Sequence, residues 1–161
     1  TLFRSLAIAL TIRVGTYYGE KNWASMYQVQ KIGLSTAVFF ALLTMSFIAL
    51  GREQIVSVYT QDINVVPVAM YLLWFAMAYQ LMDALQVSAA GCLRGMQDTQ
   101  APMWITLMAY WVIAFPIGLY LARYTDWGVA GVWLGLIIGL SIACVLLLSR
   151  LYLNTKRLSQ T

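Results

Sequence analysis

The sequence predicts an all-α fold, a polytopic bundle of about five membrane-spanning helices, and three observations carry that expectation. Hydrophobic residues make up 61% of the 161 positions and charged ones only 10%, well below the quarter usual in a soluble domain. The apolar residues fall into stretches of bilayer length, about twenty residues at about 1.5 Å rise each. Those stretches lack the polar–apolar alternation of β-barrel strands, and in lipid a helix satisfies its own backbone.

The expected spans cover residues 1–18, 32–50, 65–90, 101–122 and 128–149, so the chain 1–161 reads as one partial transmembrane bundle. The first is apolar from Leu6 to Ile12 but contains Arg4 and Arg13, and it reads as the later part of a span. A start at Thr1 rather than Met agrees with a fragment of a longer protein. Arg13 fits an anchor at the end of that span. Arg4, about 13 Å deeper, has no evident partner in this chain.

The connections 19–31 and 94–100 and the tail from Arg150 carry Lys21, Lys31, Arg94, Arg150, Lys156 and Arg157, whereas 51–64 and 123–127 carry only Arg52 and Arg123. Basic residues favour the cytoplasmic side, which predicts a cytoplasmic C-terminus. Tyr17, Tyr18, Trp23, Tyr59, Tyr120, Tyr124 and Trp127 fall where a span meets headgroups, the preferred depth of amphipathic rings.

Three local features predict packing. Gly131, Gly135, Gly139 and Ala143 place a flat stripe on one face of the last span, where a neighbouring helix can approach closely. Pro116 lies inside a span and predicts a kink. In GCLRGMQDTQAPM, residues 91–103, Gly91 and Gly95 suit a tight helix end. Asp98 or Thr99 can cap the next helix with Pro102 in its first turn, and Arg94 is placed to pair with Asp98.

Composition removes several function classes. With no His and two Cys embedded in apolar sequence, there is little material for a metal site or a disulfide framework; Cys92 and Cys144 read as small buried apolar residues. The net charge of +4 is spread through the connections and forms no patch for nucleic acid.

Asp83 is the residue that a membrane helix does not explain. It lies deep in YLLWFAMAYQLMDALQVSAAGCL, and a carboxylate there costs at least about 2.5 kcal/mol on insertion scales. Such a residue faces a cavity or a partner; the structural alternative is a hydrogen bond or ion pair to another helix. Tyr79, four residues earlier, and Gln86, three later, share its helix face, with Gln80 on the flank. The stripe should line a polar interior. A desolvated carboxylate can take up and release a proton near neutral pH, or its oxygens and a tyrosine hydroxyl can hold Na⁺. Either ion biases a conformational equilibrium through differential affinity.

The segments TIRVG (11–15) and LRGMQDTQAPM (93–103) together resemble the multidrug and toxic compound extrusion (MATE) family, with the NorM-like bacterial branch nearest. The pattern R-G-x-x-D-T-x-x-P falls on Arg94, Gly95, Asp98, Thr99 and Pro102 between two spans. The resemblance covers the whole chain as the last five of twelve helices, beginning within the eighth. It implies a cation-coupled antiporter in the bacterial inner membrane that exports lipophilic, often cationic drugs in exchange for Na⁺ or H⁺. It also implies two helix bundles around a cleft, with the N-terminal part of the same transporter as partner and no cofactor beyond the coupling ion. The family's acid and the tyrosine one turn before it match Asp83 and Tyr79, which makes them the cation-binding candidates. Gln80 and Gln86 are the cleft-lining candidates. Arg4 departs from the uncharged stretch expected at that position.

A lipid-linked precursor or polysaccharide flippase of similar architecture is the nearest alternative. Flippase clefts tend to be cationic, whereas the only charge deep in a complete span here is negative. A membrane-embedded enzyme would need a second acid, a His or a nucleophile–base pair, so a non-enzyme is expected. A structural subunit accounts for the glycine stripe and the aromatic belts but not for the Tyr79–Asp83–Gln86 face.

Overall fold

The computed structural model describes residues 2–158 as helices joined by tight turns, with no strand among them. The helices are α1 (Leu2–Gly19), α2 (Trp23–Tyr59), α3 (Val65–Gly95), α4 (Gln100–Tyr124) and α5 (Gly128–Leu158). The last four are long and apolar enough to cross a membrane. The shortest, α1, has 18 residues and exposes both Arg4 and Arg13.

The helices are longer than their apolar stretches. Most of the polar segment 19–31 belongs to α2, which starts at Trp23 because Asn22 caps it, its side-chain oxygen accepting from the Ser25 N–H at 3.2 Å. The segment 51–64 is helical as far as Tyr59, and the polar tail is helical to Leu158. At 37 residues, α2 is about 55 Å long, against about 30 Å of hydrocarbon. Polarity marks where a helix leaves the lipid. It does not end the helix.

Two turns close on a residue other than glycine. At the end of α1, Lys21 takes φ 55°, the Asn22 N–H donates to Tyr17 O and the Lys21 N–H donates to Tyr18 O. At the end of α3, Gln97 takes φ 62° and the same pair of bonds runs from Asp98 to Leu93 and from Gln97 to Arg94. These crossed bonds satisfy carbonyls that a helix end otherwise leaves free.

The helix end expected here falls at Gly95, but Gln97 and not a glycine takes the left-handed conformation of the turn. Gly91 and Gly95 face α1. A Cβ on Gly91 would sit 2.7 Å from Ala7 O, and one on Gly95 2.7 Å from Thr11 O. The Thr11 hydroxyl spans the same seam, 2.8 Å from Ala7 O and 3.0 Å from Gly91 O. A second seam joins α5 to α4, antiparallel, along the predicted glycine stripe. A Cβ on Gly135 would lie 2.4 Å from the Gly118 Cα, and one on Gly139 would lie 2.8 Å from Ala109 O.

Within α4, Ala109–Ala114 is π-helical, and the Phe115 N–H reaches back to Tyr110 O. Pro116, which has no N–H to donate, follows directly as the second residue of the next α-helical segment. The helix meets its proline with a widened turn.

Helix α3 is the hub and packs against α1, α2 and α5. Its last turns supply Ala89, Ala90, Cys92 and Leu93, and the capping residue Met96 follows them, to a core completed by Leu10, Val14, Met26, Leu147 and Leu151. Cys92 and Cys144 are free and buried. A buried polar clasp ties α2 to α5 at the same end: the Thr155 hydroxyl lies 2.9 Å from Gln30 Oε1, and Gln30 Nε2 lies 3.5 Å from the Met96 sulfur.

The Arg94–Asp98 pair does not form. Helix α3 stops at Gly95, which removes the one-turn spacing that would have aligned the two side chains. Asp98 instead accepts from Arg150 Nε at 2.6 Å and from Asn154 Nδ2 at 3.1 Å, both on α5, while Arg94 is exposed. Desolvation pushes the Asp98 carboxyl up, but Arg150, Asn154 and the Ala101 N–H outweigh it and hold the carboxyl below its ordinary range.

Candidate functional site

Asp83 sits on α3 between a packed half and an open half of that helix. C-terminal to it, Ala84, Gln86 and every residue from Ser88 to Leu93 are buried; N-terminal to it, Met77 alone is buried. Asp83 is itself partly exposed. Among the described residues, no side chain hydrogen-bonds its carboxylate or forms an ion pair with it. The structural alternative, a pair with another helix, is therefore not met within residues 2–158.

The residues of the expected stripe face three neighbours. Tyr79 meets Trp133 of α5 edge to face, with ring centroids 6.2 Å apart. Gln80 turns the other way, its Nε2 donating to Thr44 Oγ1 of α2. Gln86 is buried against α4, where its Nε2 lies 3.4 Å from Thr106 Oγ1. The Gln86 Oε1 and the Ser88 hydroxyl are buried without a hydrogen-bond partner among the described residues. A helix turns by 100° per residue, so four polar positions within two turns fan out.

Tyr110 is the residue that sequence reasoning missed. It lies in the π-helical turn of α4, close enough to Tyr79 and Asp83 for both to act on it electrostatically. Asp83, Tyr79 and Tyr110 thus bring a carboxylate and two phenol hydroxyls together from two helices. Tyr110 was legible only as an aromatic in an apolar span; the signal was its helix mate, Pro116, because π turns recur at functional sites. A groove of about 570 Å³ along α3 and α4 runs from Arg94 and Thr99 past Thr106 to Tyr110. Among the described residues, no group of three or more His, Cys, Asp or Glu side chains comes together. The oxygens at this site are one carboxylate and neutral hydroxyls.

The profile of the MatE family matches residues 1–120. The chain belongs to the MatE family. Of its relatives, the "Probable multidrug resistance protein NorM" of Acinetobacter baylyi is 72% identical over 156 residues, covering 97% of this chain and 35% of that protein. The "Multidrug resistance protein NorM" of Vibrio cholerae is 44% identical over 154 residues, covering 92% of this chain and 34% of its own. The fold of this MatE chain also matches the crystal structure of a eukaryotic MATE transporter with a TM-score of 0.88 at 20% identity, over 98% of this chain and 36% of that one. The chain thus spans about a third of the length of the relatives it matches. It is a multi-pass membrane segment of the NorM-like branch.

Proposed function

We propose that this chain supplies the C-terminal helices of a cation-coupled multidrug antiporter, with Asp83 as its coupling carboxylate. The observation that carries this reading is the placement of Asp83: a carboxylate at mid-span, unpaired among the described residues, with Tyr79 and Tyr110 beside it. The family membership and the names of the relatives support transport of drugs. The lone negative charge supports a lipophilic or cationic cargo.

The physical sequence is exchange at one site. A proton or Na⁺ on Asp83 removes the charge that hydrocarbon resists, and the two hydroxyls complete part of the ion's oxygen shell. An ion can shift a conformational equilibrium only by its differential affinity for the two states. Asp83 and the tyrosine on α4 supply that difference as the helices rearrange. Gln80 and Gln86 keep a polar wall on the flanks. The rest of the transporter supplies the other half of the cleft, in the bacterial inner membrane with the C-terminus cytoplasmic.

The test uses the full-length transporter that carries this segment, with Asp83→Asn. Ethidium efflux driven by an imposed Na⁺ or H⁺ gradient is expected to fall to the level of empty vesicles, with the protein still inserted and monodisperse. Unchanged gradient-driven efflux sinks the assignment. Residues 1–161 expressed alone are expected to show no efflux.

A further inference from the structure

Helices α1 and α3 run parallel and in step. A Cβ on Gly91 would meet Ala7 O and one on Gly95 would meet Thr11 O, so each α1 residue has a fixed level on α3. Arg13 comes level with the end of α3. Arg4 comes level with the turn at Val87 and Ser88, and Asp83 lies about 5–8 Å further from the Arg13 end. Measured from the end of α3, Arg4 is about 13 Å deep and Asp83 about 18 Å, both within the roughly 30 Å of hydrocarbon. Among the described residues neither has an ion-pair partner.

A helix turns by about 100° per residue, which fixes the flank each side chain takes. Arg4 precedes Thr11 by two turns and lies within about 20° of it, on the face that meets α3. Leu10, whose side chain packs on Gly33 of α2, is about 120° away. On α3, Asp83 falls within about 20° of Ala90 and Arg94, which line the open α3–α4 groove. It is about 120° from Met77, which lines a pocket with Leu42 and Met45 of α2. Both charges therefore take the flank of the α1–α3 seam that is turned away from α2. Side chains lean toward the N-terminus of their helix, which carries Arg4 toward the level of Asp83. Arg94 shares the Asp83 stripe but lies about 16 Å along the axis, beyond reach.

We infer that Arg4 is the counter-ion of Asp83 in the ion-free transporter, an inference that rests on the coupling role of Asp83. The Arg4 guanidinium turns across the seam and pairs with the bare carboxylate. Charges inside a membrane pair with one another, and a guanidinium offers a carboxylate two parallel hydrogen bonds. The seam holds both backbones in register, so only the long Arg4 stem moves. A proton or Na⁺ arriving at Asp83 displaces Arg4 to the exposed position it has in this structure. Arg4 is thus a built-in competitor that neutralises the empty site and sets the ion concentration at which the site loads.

The full-length transporter and its R4Q, R4K, D83N and R4Q/D83N variants are melted in detergent, in sodium-free alkaline buffer that strips the coupling ion. R4Q is expected to lower Tm by a few degrees when Asp83 is present and to leave it unchanged in the D83N background, the signature of a direct pair. R4K, which keeps the charge, should melt close to the unsubstituted protein. In vesicles, the Na⁺ or H⁺ concentration for half-maximal ethidium efflux should fall about tenfold in R4Q, the worth of one charged hydrogen bond, and stay in place in R4K. An equal Tm loss in both backgrounds means that Arg4 pairs elsewhere in the transporter and overturns the inference. No Tm loss in either background, or a half-maximal concentration that R4Q leaves unchanged, overturns it as well. Should D83N itself leave efflux intact, the coupling role fails, and the thermal cycle still decides the pair.

Discussion

The two halves of α3 differ as two proteins might. From Ala84 to Gly95 the helix is almost entirely enclosed, with glycines against α1 and small residues against α5. From Val65 to Met82 it presents large apolar residues outward, Tyr71 and Trp74 among them at 51% and 55% exposure. Composition barely distinguishes the halves, since both are apolar and both are long. Residue size does. Seven of the twelve residues of the enclosed half are Ala, Gly, Ser or Cys, which let backbones approach; the open half turns large apolar residues outward. Asp83 stands at the border, where one side is fixed and the other is free to change neighbours.

The comparison breaks most easily at the seam. Gly91→Leu places a side chain where Ala7 O already sits, 2.7 Å from the new Cβ, and backbone cannot give way as a side chain does. The full-length protein should lose its monodisperse peak on size-exclusion chromatography. Ala78→Leu, on the exposed face of the open half, should leave that peak and the apparent melting temperature unchanged. If Ala78→Leu collapses the protein too, another part of the transporter covers that half.

A smaller effect is expected at the buried clasp. Gln30→Ala removes the side-chain acceptor of the Thr155 hydroxyl, which keeps Leu151 O at 2.8 Å, so the expected loss is the net worth of one hydrogen bond, about 0.5–1.5 kcal/mol. Thermal unfolding in detergent should show it. An unchanged melting temperature means that the bond to Leu151 O suffices for the Thr155 hydroxyl.

Smaller again, and opposite in sign, is Gln97→Gly. The left-handed conformation costs a residue with a Cβ about 1–2 kcal/mol, and the unfolded-chain entropy of glycine returns about 0.5–1 of that. A net gain of about 0.5–1 kcal/mol is expected in the same melt. A loss would show that the Gln97 side chain has a contact worth more than its strain.

The least effect belongs to Asp98. Its carboxyl is depressed in the folded state, so the unfolded chain takes up the proton first as pH falls. The pair with Arg150 therefore stabilises the protein fully above about pH 4, the ordinary Asp range, and the contribution fades as pH drops through the folded value. Arg150 is 46% exposed, and exposed pairs contribute about 0.2–1 kcal/mol. Arg150→Gln should lower the melting temperature slightly at neutral pH and converge with the unsubstituted protein below the folded Asp98 value, so that the acid limb of the melting temperature against pH flattens.

The long apolar helices were legible because the demand of lipid for long apolar runs is strict, and the glycine stripe on α5 was legible from its four-residue spacing. Helix ends were less so. The Lys21 and Gln97 turns carry no glycine to announce them, and Asn22 is a single polar residue among many. The Asp98 partner was hidden because it depends on α4 running back beside α5, a tertiary fact. At the site, Asp83 and Tyr79 stood out by the energetic cost of polarity in a span. Tyr110 did not, because a tyrosine in an apolar run is ordinary until a second helix brings it beside an acid. The directions of Gln80 and Gln86 were hidden for the same reason.

The two glycine seams have a mechanical consequence. Where side chains interlock, rotamers can trade places and a helix can creep. Where backbone lies on backbone, as between α1 and α3 and between α4 and α5, nothing can trade, and a slip of one residue drives a Cβ into a carbonyl. Each pair is keyed, like a tongue in a slot, with one setting and no half-steps. Any motion of this bundle has to carry α1 with α3 and α4 with α5. The places that give must lie between the keyed pairs, and Asp83 on α3 and Tyr110 on α4 belong to different pairs.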